Sequence, residues 1–148
     1  MMKEKRIFQH VSSKDICQGY ELLLKRNLVH FPLTQAGRHQ VDAIVANLSN
    51  SHFGEEIYKS IEEKVVAYLY FLIKDHPFTD GNKRTATITF LVLCQLNELD
   101  FQSNSFSALD KLAVLIEKIT EKDHQLVIST IAKILFGDST ADSSMRYE

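Results

Sequence analysis

Apolar residues recur along this 148-residue chain at helical spacings of three and four, and no stretch alternates apolar and polar as a half-buried strand does. Ser12 or Ser13 is placed to cap a first helix running to about Lys25, with Ile16, Tyr20, Leu23 and Leu24 on one face. Asn27 to Gly37 contains Pro32 and Gly37 and is expected to be a connecting loop. A second helix, about Arg38 to Leu48, carries Val41, Ile44, Val45 and Leu48 at helical spacing. A short polar break, Asn50 to Gly54, separates it from a third helix over about Glu55 to Asp75. Ile57, Ile61 and Val65 step by four and predict a single buried stripe at the start of that helix. From Val65 to Ile73 every residue is apolar or tyrosine, which predicts enclosure on all sides. A fourth helix, about Lys83 to Glu98, is similarly rich in Ile88, Phe90, Leu91, Val92, Leu93 and Leu96. Segments near Ala108 to Ile119 and Gln125 to Phe136 complete an all-α bundle of five or six helices, one domain over 1–137. Residues 138–148 have the composition of a flexible tail.

Residues 76–83 form a short polar loop between the two helices expected to be the most buried, at the centre of the bundle. Pro77 forbids continuation of the third helix and biases His76 away from helical geometry. Polar groups held between buried helices must be paired or used, because unsatisfied burial is costly. Rigid neighbours also hold such a loop in one shape, which a catalytic site requires.

The residues of that loop suit phosphate chemistry. Gly81-Asn82 tolerates the positive φ angles that turn successive backbone N–H groups inward as an anion nest. The next helix starts at about Lys83, so its N-terminal dipole and free N–H groups face the same place. Lys83 and Arg84 bring two cations to a helix end that disfavours them unless an anion joins them. Asp80 is placed to hold a magnesium ion that bridges phosphates. His76, at the end of the preceding helix, is placed to take a proton from a substrate hydroxyl. Singly these are ordinary residues: a helix-terminal His is usually a cap, and Asp-Gly is usually a turn. Together they supply a base, a metal ligand, an anion site and cations, which is what transfer of a phosphate-containing group needs.

Composition changes this picture little. Hydrophobic residues make up 45% and charged residues 24%, an ordinary globular balance. A net charge of -2 gives no reason to expect nucleic acid or a membrane as a partner. Cys17 and Cys94 each lie in an apolar helical stretch, as buried thiols do, and no metal-ligand spacing occurs. The charged N-terminus lacks a signal-type apolar core, and the Val65 to Ile73 run is about half a membrane span, so a cytoplasmic location is expected.

The segment His76-Pro77-Phe78-Thr79-Asp80-Gly81-Asn82-Lys83-Arg84 resembles the Fic/Doc signature His-Pro-Phe-x-(Asp/Glu)-Gly-Asn-(Gly/Lys)-Arg at every position, and Thr85-Ala86 continues it. The preceding Tyr68 to Asp75 is also similar to family sequences, and the resemblance covers about Phe53 to Phe101. It implies a bacterial transferase of the Fic fold that uses ATP or another nucleotide with Mg2+. In that scheme His76 is the general base acting on a Ser, Thr or Tyr hydroxyl of a target protein. Pro77 stops the helix, Phe78 anchors the loop, and Asp80 binds magnesium. Gly81, Asn82, Lys83 and Arg84 hold nucleotide phosphates. The break around Ser51, His52 and Phe53 is the flap that aligns a target segment by strand-like pairing.

Two positions depart from the AMP-transferring pattern. Lys83 stands where many such members have glycine, and Thr87 where they have a second arginine. Both resemble the Doc branch, whose members act as toxin–antitoxin kinases that transfer the terminal phosphate, with elongation factor Tu as the target. The inhibitory motif (Ser/Thr)-x-x-x-Glu-(Gly/Asn) does not occur: Ser51 to Glu55 comes nearest but is followed by Glu56. The family therefore implies control in trans, as by an antitoxin. The alternatives are AMP transfer and a non-catalytic Fic-fold regulatory module.

Overall fold

Val65 to Ile73 run down the middle of the molecule, and the other helices are arranged around them. The computed structural model describes residues 6–49, 57–100 and 106–137. Among these it has six helices and no strand: α1 (Ser13–Lys25), α2 (Gln35–Ser49), α3 (Ile61–Lys74), α4 (Asn82–Leu96), α5 (Phe106–Lys118) and α6 (His124–Phe136). The all-α bundle expected from the periodicity is thus observed. Helix α3 packs against α2, α4, α5 and α6, while α1 packs against α2 and α4. Every residue from Val65 to Ile73 is buried except Phe71, which is half-buried. The Tyr70 hydroxyl, fully buried, is satisfied at 2.6 Å by Nδ1 of His124 at the start of α6.

The helix starts follow local side-chain chemistry. Ser12 and Ser60 each close a capping box, with Asp15 and Glu63 respectively, and Asp123 accepts from the Leu126 N–H. These caps account for two departures from the expected boundaries. Helix α3 begins at Ile61 because Ser60 caps it, so Ile57 lies outside the helix and is 44% exposed; the stripe expected from Ile57 does not form. Helix α2 begins earlier, at Gln35, so Gly37 is helical and not in the loop. Thr34 makes that start: its Oγ1 accepts from the Gly37 N–H and its carbonyl accepts from the Arg38 N–H. A third departure concerns α4, which is not enclosed like α3. Ile88, Val92 and Leu96, four residues apart, lie along its exposed side at 38%, 41% and 48%.

The N-terminal segment is tied to the far end of α4. Asn97, almost wholly buried, accepts from the Gln9 N–H and donates to the Gln9 and Leu93 carbonyls, all at 2.8 Å. Arg6 donates to the Asn97 carbonyl. Cys17 and Cys94 are buried free thiols, as expected; burial pushes both up, Cys94 to about 12, which keeps them protonated and inert. Among the described residues no helix is long and apolar enough to cross a membrane. The predicted break from Asn50 to Gly54 and the tail 138–148 lie outside the described residues.

Candidate active site

The loop between α3 and α4 is shaped at each step by a named contact. Asp75 closes α3 by donating its N–H to the Phe71 carbonyl, and His76 then turns the chain with φ of 46°. A positive φ is uncommon in a residue with a side chain, though histidine adopts it more readily than most. Pro77, buried, is backed by α2: a β-carbon on Gly37 would stand 2.9 Å from the Pro77 carbonyl oxygen. Gly37 therefore lets α2 approach the loop backbone, and Gln40 donates to the Asp75 carbonyl at 3.2 Å. Phe78 is buried and stacks on Tyr20 of α1, with centroids 4.2 Å apart and planes 18° from parallel. The Tyr20 hydroxyl donates in turn to the Phe31 carbonyl. Phe78 thus packs the loop against α1, with Tyr20 as its partner.

Asn82 performs a task that the sequence did not show. Its Oδ1 accepts from the Phe78 N–H at 2.9 Å and its Nδ2 donates to the Phe78 carbonyl at 2.8 Å. This two-point clamp uses the amide oxygen and one of its two N–H groups, so the second amide N–H and the backbone N–H remain for an anion. Replacing Asn82 with Ala leaves two part-buried backbone groups unpaired. We expect a loss of about 1–3 kcal/mol in urea unfolding, and an unchanged midpoint would show that the clamp is idle.

Gly81 precedes α4 with φ of 79°, in the left-handed region, and no side chain caps the helix. The first bond back to the loop is Thr85 N–H to the Gly81 carbonyl. The N–H groups of Asn82, Lys83 and Arg84 therefore point out of the helix start without a partner among the described residues. These unpaired donors and the helix dipole make a site for an anion. Asp80 sits at its edge, where one carboxylate oxygen accepts from the Gly81 N–H at 2.8 Å. Burial pushes the Tyr20 hydroxyl up, and the charge of the neighbouring Asp80 adds to this. The exposed His76 side chain makes no hydrogen bond to a described residue. Beside it, burial pushes the Asp75 carboxyl up, against the pull of His124 and His76.

The two cations at the helix start find partners within the protein. Lys83 pairs with Glu117 of α5 at 3.0 Å, and Arg84 donates to the Leu28 carbonyl at 2.9 Å. The anion required beside Lys83 is thus supplied by the chain itself. With that pair made, Lys83 requires no outside anion. The arrangement of free N–H groups does not depend on it.

A family model for the Fic/DOC family matches residues 10–94, which is more than half of the chain and includes α1, α2, α3 and the loop. The chain belongs to the Fic/DOC family. Members of this family are typically transferases that use a nucleotide co-substrate. No curated protein and no solved structure matches the chain. The family's flap, expected at Ser51, His52 and Phe53, lies outside the described residues. Glu117 lies beyond the matched span, on a helix whose sequence shows only an ordinary amphipathic pattern. The Leu28 carbonyl that receives Arg84 is a backbone atom and leaves no trace in residue type.

Proposed function

We propose that this Fic/DOC protein transfers a phosphate-containing group from a magnesium nucleotide, ATP first, to a Ser, Thr or Tyr hydroxyl of a target protein, and that the group is the terminal phosphate. The observation that carries the reading is the uncapped start of α4, whose free N–H groups face out beside Asp80 on the loop that begins with His76. Those N–H groups suit phosphate oxygens, which are charged acceptors. Asp80 would hold the magnesium ion with its remaining carboxylate oxygen. No cluster of three or more metal-binding side chains occurs among the described residues, and magnesium is commonly held by one or two carboxylates together with phosphates and water. When bound, the ion would neutralise phosphate charge.

A target hydroxyl reaches His76, whose imidazole accepts the proton as the oxygen attacks the terminal phosphorus. The bond from that phosphorus to the bridging oxygen breaks, and ADP leaves with the electron pair while the helix N–H groups stabilise the phosphates. Lys83 and Thr87 favour this outcome over AMP transfer, because a lysine fills the place where glycine admits close backbone approach and the second arginine is lacking. A hydroxyl-bearing target, with elongation factor Tu as the family's example, and control by an antitoxin belong to the same reading.

Labelled nucleotide tests it. The protein is incubated with cell lysate, magnesium and ATP labelled at either the alpha or the gamma phosphate. Gamma label alone on a protein band is the expected result. Alpha label on the band replaces phosphate transfer with AMP transfer. Neither label on any band, at protein concentrations where the fold is intact, removes the transferase reading in favour of a regulatory module.

A further inference from the structure

Lys83 and Glu117 each sit at the wrong end of a helix. Lys83 is in the first turn of α4, where the dipole repels a cation, and Glu117 is in the last turn of α5, where it repels an anion. Their ion pair at 3.0 Å offsets both disadvantages, and it does so in the first turn of α4, where the free N–H groups lie. The side chains are 41% and 35% exposed, so the pair is half-buried and within reach of a ligand. The Lys83 hydrogen bond holds the Glu117 carboxyl below the usual carboxylate range against burial, and the charges of Lys83, His76 and Lys118 help. Glu117 is therefore ionised at neutral pH and within the electrostatic reach of His76.

Two effects follow, and they have opposite signs for a bound phosphate. A lysine stem is flexible, so the pair fixes where the ammonium stands; one of its three N–H donors goes to Glu117 and two remain. The Glu117 charge also opposes any phosphate that Lys83 receives. Removing the Glu117 charge therefore favours phosphate binding, while loosening Lys83 slows a transfer that depends on its position.

We infer that Glu117 of α5 is a positioning residue of the nucleotide site: it holds the Lys83 ammonium in place for the transferred phosphate and, by its charge, keeps the nucleotide loosely bound. This rests on the transferase reading above. Glu117→Gln keeps the shape and removes the charge. It should bind a non-hydrolysable magnesium–ATP analogue roughly three- to tenfold more tightly by calorimetry. Its kcat for label transfer should fall about tenfold. A merely structural role would not tighten binding while slowing turnover. The turnover effect must act through Lys83, so in a Lys83→Met background Glu117→Gln should still tighten binding but no longer slow transfer. Circular dichroism melts confirm that each variant is folded, as expected for a half-exposed pair.

The inference is overturned if Glu117→Gln binds the analogue no more tightly than wild type, or if its effect on kcat persists in the Lys83→Met background. Should wild type bind the analogue yet transfer no label, the transferase reading falls and the binding measurements alone decide the role of Glu117. If no variant binds the analogue, both are lost.

Discussion

Replacing Gly81 with Ala is expected to cost the fold about 2–5 kcal/mol, the sum of a left-handed backbone and an overpacked contact. The φ of 79° disfavours any residue with a β-carbon. Space is lacking as well: that carbon would stand 2.3 Å from Cγ1 of Val29, with Tyr20 Cε1 at 3.6 Å. Val29 is buried, and its short β-branched side chain has few ways to give. A thermal melt should show the loss as a drop of about 10 °C, given roughly 2–4 °C per kcal/mol in a protein of this size. Val29→Ala in the same molecule should recover part of the loss, because it removes the clash and leaves the φ penalty. A Gly81→Ala melt within a degree or two of wild type would show that the loop can shift and that the close approach has no consequence.

His76→Ala should do the reverse, leaving the fold and removing the reaction. The side chain is exposed and without a hydrogen bond to a described residue, so its removal should change stability by less than about 1 kcal/mol. Label transfer should fall by about 10²- to 10⁴-fold, the usual contribution of a general base. His76→Gly sharpens the comparison: glycine relaxes the strained φ of 46°, so this variant should melt no lower than His76→Ala while being equally inactive. Transfer that survives both substitutions would move the base elsewhere. A large loss of stability in both would mean that His76 holds the loop and that inactivity says nothing about chemistry.

The sequence disclosed those parts of this molecule that depend on neighbours along the chain. The helices, the stop at Pro77 and the turn at Gly81 are local, and each was legible from residue type and spacing. Ser60 and Thr34 decide the starts of α3 and α2, and a hydroxyl in a polar stretch is a weak signal until its partner is known. The exposed side of α4 was hidden for another reason. Ile88, Val92 and Leu96 have the same composition as a buried stripe, and only the positions of the other helices show that nothing among the described residues covers them. In the site, the partners of Lys83 and Arg84 are 34 and 56 residues away in the chain, beyond any local pattern. The left-handed turn at His76 likewise follows from how α3 ends against α2, which the dipeptide His-Pro only hints at.

The clamp made by Asn82 bears on which substitutions the loop can absorb. It grips the main chain of Phe78 and is indifferent to the side chain carried there. The course of the backbone is therefore set by one residue, and the depth at which the loop sits is set separately by the Phe78 ring against Tyr20. Thr79 takes part in neither and is exposed, so it is the position of the turn where sequence can drift while the shape stays constant.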